Sequence, residues 1–198
     1  METVKQKNLR LIGTGGGIAE SELPNVIYKN LGIQMKMNRS ISADYIKNHI
    51  ARTKRVYHPM WVAKLLVIAD RKPFPPRKKP NMVFVDAVSG YRGLFPTVPA
   101  MNEGEVETGE VVPAQLTKQQ VKETYIQDIQ QNQINRSYVL KKPRYQLEEL
   151  FLTYLPLWKV QVDSDYLTKE FFINANTGES EEYMSKLWRS VEWRLQEK

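Results

Sequence analysis

The sequence predicts an α+β protein made of two repeated helix-plus-antiparallel-sheet units with a C-terminal amphipathic helix. Three echoes within the 198 residues predict it. Tyr57-His58-Pro59-Met60-Trp61 recurs as Tyr154-Leu155-Pro156-Leu157-Trp158, a shared Tyr-x-Pro-x-Trp. Phe84-Val85-Asp86-Ala87-Val88-Ser89-Gly90 recurs as Phe172-Ile173-Asn174-Ala175-Asn176-Thr177-Gly178. Ile41-Ser42-Ala43-Asp44-Tyr45-Ile46 is matched with Leu116-Thr117-Lys118-Gln119-Gln120-Val121, each an apolar residue, a hydroxyl and a second apolar residue further on. Similarity spread along a chain in this way marks one supersecondary unit used twice.

In chain order, residues 1–40 form an N-terminal segment. Its Leu11-Ile12-Gly13-Thr14-Gly15-Gly16-Gly17 lacks the Gly-Lys-Ser/Thr ending of a phosphate loop and reads as a flexible connector. Unit one, residues 41–95, opens with Ser42 as N-cap, while Ile41 can pack on Ile46 as a hydrophobic staple. A Val- and Leu-rich strand, Trp61 to Ala69, and a second from Met82 to Gly90 follow. Between them Arg71, Lys72, Arg77, Lys78 and Lys79 are interrupted by Pro73, Pro75, Pro76 and Pro80, which reads as an exposed basic loop. Residues 96–115 are rich in Pro, Gly and Glu without periodicity, and read as a linker. Residues 116–198 form unit two. Thr117 with Gln120 fits a capping box, and Val121, Tyr125 and Ile129 give one apolar stripe. Trp158, Val160 and Val162 alternate with polar residues as a half-buried strand, and a strand from Glu170 to Gly178 ends in turn chemistry. Met184, Trp188, Val191 and Leu195 then space out an amphipathic C-terminal helix.

The helix opening at Leu116, the strand from Trp158 and the strand closing on Phe172-Ile173-Asn174-Ala175-Asn176-Thr177-Gly178-Glu179 resemble the PepSY domain, found in protease propeptides and bacterial cell-envelope proteins. Val85-Asp86-Ala87-Val88-Ser89-Gly90 looks like the same strand-ending turn in a more divergent copy, so tandem PepSY-like units would cover residues 41–183. The resemblance implies a cystatin-like helix against a small antiparallel sheet, and inhibition, chaperoning or regulation of a partner, commonly a hydrolase. It carries no catalytic residues over.

Composition narrows the chemistry. There is no Cys, so disulfides, thiol nucleophiles and thiolate metal sites are excluded, and two His cannot build an all-His metal centre. The net charge of +7 is uneven: residues 1–100 carry +11 and residues 101–198 carry −4. No nucleophile motif accompanies His49 or His58, and Glu103, Glu105, Glu107 and Glu110 lack Ca²⁺-loop spacing. The expectation is therefore a non-enzymatic binding or regulatory module with no cofactor, no metal and no catalytic residue. It would act on a protein partner such as a hydrolase or envelope protein. Arg77, Lys78, Lys79, Trp61 and Trp158 are its candidate contact residues, with an exposed sheet edge for strand addition. Nucleic acid is the alternative partner, because the first half is so basic. No apolar run is long enough for an integral membrane segment, and a homo-oligomer is left open. Read as starting at Met1, the chain lacks a leader and is expected in the cytoplasm; read as an excised fragment, it belongs to the cell envelope or outside.

Overall fold

A computed structural model describes residues 6–107 and 110–195. The fold is α+β, with a mostly antiparallel sheet and few helices. In chain order come β1 (Gln6–Ile12), α1 (Leu23–Asn30), α2 (Ile33–Met37), α3 (Ala43–Asn48), β2 (Ile50–Arg71), β3 (Phe74–Asp86), β4 (Arg92–Leu94) and β5 (Met101–Glu107). Then follow α4 (Lys118–Gln120), running without a break through wider turns into α5 (Ile126–Ile129) and on to Ser137, and β6 (Arg144–Val162), β7 (Lys169–Asn174) and α6 (Glu182–Leu187).

The chain forms two compact units, and their boundaries are not those expected from sequence. Unit 1 takes residues up to His58, Ala100–Val112 and Tyr154–Lys186; unit 2 takes Pro59–Pro99, Pro113–Thr153 and the chain from Leu187. The boundaries at His58 and Thr153 fall inside β2 and β6. No glycine or tight turn interrupts the 22 residues of β2, so the strand cannot reverse and carries the chain from one core into the other. α1 and α3 consequently pack on the β6–β7 hairpin, and the helix opening at Lys118 packs on the β2–β3 hairpin, each on strands from the other half of the sequence.

In unit 1, β6 and β7 pair antiparallel from Leu157↔Asn174 to Val162↔Lys169, and Asp163 N–H donates to His49 O where β2 begins. β1 pairs antiparallel with β5 and touches β6 through Leu11↔Tyr154, while Tyr57 is bridged to Val111. The helices α1 and α3 bury Leu23, Ile27 and Ile46 against Val160, Val162, Phe171 and Ile173. Ser42 caps α3 as expected, its Oγ accepting from Tyr45 N–H at 3.1 Å.

In unit 2, β2 and β3 pair from Met60↔Asp86 to Arg71↔Phe74, β3 carries β4, and β6 lies beside β2, with Lys64 Nζ 2.6 Å from Glu149 Oε2. Odd-numbered residues of β2 and β3 face the helix: Trp61, Ala63, Leu65, Val67, Val83 and Val85 close on Val121, Tyr125, Ile126 and Ile129. The capping box at Thr117 forms, with Thr117 N–H donating to Gln120 Oε1 at 2.8 Å and Gln120 N–H to Thr117 Oγ1 at 3.2 Å.

Three expectations are corrected. The stretch from Leu11 to Gly17 is not a flexible connector: Leu11 and Ile12 end β1, Gly13 N–H donates to Ala100 O, and the chain leads on to the buried Leu23, Ile27 and Leu31. The expected linker holds β5, whose alternation leaves Glu103, Glu105 and Glu107 exposed while Val106 is buried. The C-terminal helix ends at Leu187, short of Val191 and Leu195. Trp188 instead sends its Nε1–H to the buried Asp86 Oδ2 at 2.9 Å, anchoring the chain just past the helix end.

Candidate functional site

The repeated motifs turn out to hold the fold. In unit 2, Asp86 Oδ1 accepts Val88 and Ser89 N–H at 2.8 Å each, Gly90 N–H returns to Asp86 O with φ +80°, and Ala87 N–H donates to Pro59 O. Ala87 O in turn accepts Leu116 N–H at 2.9 Å, and Trp61 Nε1–H donates to Leu116 O at 2.9 Å. In unit 1, Asn174 Oδ1 accepts Asn176 and Thr177 N–H, Gly178 returns to Asn174 O with φ +75°, and Ala175 N–H donates to Pro156 O. Ala175 O accepts Ile18 N–H at 2.8 Å, and Trp158 Nε1–H donates to Ile18 O at 2.8 Å. Thus Tyr-x-Pro-x-Trp and the Asp/Asn-Ala-x-Ser/Thr-Gly turn together clamp the residue that opens a helix.

The position equivalent to Leu116 in this bonding scheme is therefore Ile18, not Ile41. Glu22 Oε2 accepts Ala19 N–H at 2.8 Å, just as Gln120 accepts from Thr117. The signal was an apolar residue followed by Glu22 at the third helical position, but Ala19 lacks the hydroxyl that makes such a start visible. The glycines before Ile18 are needed for close approach rather than for phosphate. A Cβ on Gly13 would run into the Asn176 side chain, and one on Gly17 into the Ala175 carbonyl.

Trp61 is buried in its core, and Trp158 is half-buried with the Arg55 guanidinium 4.5 Å over its ring. Burial removes Trp61 from the expected contact surface, while Trp158 keeps part of its ring exposed beneath Arg55. His49 bonds Tyr45 O through Nδ1 at 2.7 Å. His58 is buried near Glu181, whose carboxyl is pushed up chiefly by burial, with the Asn174 amide and His58 acting the other way. Among the described residues no group of three or more His, Asp or Glu is placed to hold a metal ion, and no helix is long and apolar enough to cross a membrane.

Arg77, Lys78 and Lys79 lie on β3, where the hairpin with β2 runs beyond the helix, and every residue from Arg71 to Pro80 is exposed. The expected basic loop is corrected: the segment is exposed, but from Phe74 onward it is strand paired with β2, the prolines being tolerated at an outer edge. Sequence reasoning also missed what lies beside it. Asp70, near the hairpin tip, is held by Lys141 Nζ at 2.7 Å and Arg144 Nη2 at 3.3 Å. Those hydrogen bonds, Lys141's first, keep the Asp70 carboxyl below its ordinary range. The two contacts bring Lys141-Lys142-Pro143-Arg144 to the arm. Segments 70–80 and 138–144 together carry Arg71, Lys72, Arg77, Lys78, Lys79, Lys141, Lys142 and Arg144 against Asp70 alone. That surplus equals the +7 of the entire chain, so the remainder is neutral in sum.

The arm's outer edge offers little to strand addition. Phe95 N–H donates to Met82 O and Asp86 N–H to Tyr91 O, so even-numbered residues of β3 turn their backbone away from β2. Along the outer edge those positions are Pro76, Lys78 and Pro80, and the two prolines have no N–H to offer. Recognition on the arm falls to side chains. No protein-family model, curated protein or solved structure matches the chain.

Proposed function

We propose that the protein is a non-enzymatic binding and regulatory module that docks a polyanionic partner on the basic patch of unit 2. The observation that carries the reading is the concentration of the chain's whole charge surplus on two adjoining segments whose cations are all exposed, while the aromatic and turn motifs make contacts inside the units. We read the architecture as two copies of one PepSY-like helix-plus-sheet unit whose helices have been exchanged. The matching hydrogen bonds at Asp86 and Asn174 support this. So does the spacing, 98 residues from Ile18 to Leu116 and 97 from Trp61 to Trp158. Regulation of a protein such as a hydrolase or envelope protein is the role the resemblance implies, exerted on whatever target the docked module reaches. Nucleic acid is the second reading of the partner, and the same cations carry it.

The test is retention of the full chain on immobilised heparin, a simple polyanion, with elution by salt. Retention that weakens steeply with salt, and that Lys78→Glu with Lys79→Glu largely removes, is the expected result, since cations on a polyanion act by releasing counterions. Flow-through at low salt overturns the reading.

A further inference from the structure

We infer that the basic patch of unit 2 is a membrane-docking tip whose partner is the surface of an anionic lipid bilayer. This rests on the binding-module reading above and names the partner.

Charge alone does not choose between polyanions; the apolar residues set among the cations do. Phe74 at the hairpin tip is 68% exposed, and Val139 and Leu140, next to Lys141, are 89% and 101% exposed. They are among the most exposed large hydrophobics of the described chain, and the Asp70 contacts with Lys141 and Arg144 hold their two segments together. Large apolar side chains left in water on adjoining segments mark a surface that is covered in use. A phosphodiester backbone or an acidic protein face gives Val139 and Leu140 nothing to enter. A bilayer interface does, because aliphatic and aromatic side chains sink to the headgroup and acyl boundary while Lys and Arg stems extend along it with their charges at the phosphates. The prolines of the outer edge close off backbone recognition of an extended peptide, which leaves these side chains as the contact.

The two parts of the patch make separable contributions. Each cation close to an anionic leaflet raises partition about fivefold, and that gain is lost with salt. The apolar anchors add a component that salt does not screen.

The experiment is co-sedimentation of the full chain with vesicles of phosphatidylcholine alone and of phosphatidylcholine mixed with phosphatidylserine, run beside the heparin column. Binding to mixed vesicles only, weakened by salt, is the expected result. Phe74→Ser with Leu140→Ser should lower that binding about tenfold or more and leave heparin elution unchanged. A thermal melt like that of the unsubstituted protein confirms that these exposed sites were replaced without cost to the fold. Retention on heparin without binding to mixed vesicles overturns the membrane inference, assigns the patch to nucleic acid or an acidic protein, and leaves the proposed function standing. Failure on both probes overturns both. Vesicle binding that the serine pair does not change overturns the role of the apolar anchors.

Discussion

Severing the chain between Val112 and Pro113 should leave two fragments that cannot fold apart and that fold together. The core of unit 1 draws Leu23, Ile27, Leu31, Ile41 and Ile46 from the first fragment and Val160, Val162, Leu167, Phe171 and Ile173 from the second. The core of unit 2 is divided equally as well: Trp61 through Ala87 come from the first fragment, and Leu116 through Leu150 from the second. Burying one such side chain stabilises by about 1.5–3 kcal/mol. Losing five from the smaller core removes roughly 7–15 kcal/mol, about the entire stability of a domain. Residues 1–112 and 113–198, prepared separately, should each give a far-UV spectrum without a cooperative melt. Equimolar mixing should restore one 1:1 species in size-exclusion chromatography, with a transition near that of the intact chain. A cooperative melt from either fragment alone would refute the exchange, because that fragment would have closed its own helix on its own hairpin.

Four further outcomes follow from particular contacts. Trp61→Phe leaves Leu116 O without its indole donor and should cost about 1–3 kcal/mol in chemical denaturation, and Trp158→Phe a similar amount through Ile18 O. Gly90→Ala should destabilise more than Gly178→Ala: both have positive φ, but only at Gly90 does the new methyl meet a backbone carbonyl, Trp193 O, and the Tyr125 ring, each at 2.8 Å. Asp128 pairs with Arg92 at 2.6 Å, and although burial opposes it, the hydrogen bonds from Arg92 and Asn132 hold its carboxyl below the usual range. Its contribution is present above the unfolded value, about 3.9, and is lost as pH falls through the lower folded value. Asp128→Asn should therefore destabilise at neutral pH, with the difference from the parent closing in acid. Glu181 has the opposite sign. Burial raises its folded pKa, so ionisation costs stability above that value, and Glu181→Gln should raise the melting temperature at neutral pH but not in acid.

Much of the local structure was legible because it is local chemistry. Ser42 and Thr117 announce helix starts, and Asn174 and Gly178 announce a turn, through bonds spanning a few residues. The partner of each element was not legible. Nothing in residues 41–95 says that α3 will pack on Val160 and Ile173 rather than on Val83 and Val85, since all are buried aliphatics on strands of the same period. The deciding feature is the absence of a reversal anywhere in β2, and an absence is harder to read than a motif. The site followed the same rule. Arg77, Lys78 and Lys79 stood out as a basic run, whereas Lys141 and Arg144 join them only through Asp70, across more than seventy positions of sequence.

The exchange and the basic patch are linked. Relative to one another, the proposed copies differ most at the hairpin: the first runs on to Phe74, where the second turns at Asp163 to Thr168, while the spans from helix opening to tryptophan, Ile18 to Trp61 and Leu116 to Trp158, are nearly equal. Helices kept with their own hairpins would place the arm and the basic segment after the second copy's helix in different units. On the proposed exchange, the hairpin of the first copy and the segment after the second copy's helix belong to the same unit, and the two basic segments meet at Asp70. Unit 1 has the short turn, Asp163 to Thr168, in place of the arm, and carries no comparable run of cations there. The proposed exchange would therefore gather the charge surplus of the chain onto one unit and leave the other without it. It follows that the fragment pair should dock anionic vesicles only once mixed, because the first fragment supplies Phe74 and the arm and the second supplies Leu140 and Lys141. Vesicle binding by residues 1–112 alone, equal to that of the intact chain, would show that the arm suffices and that the meeting at Asp70 has no part in docking.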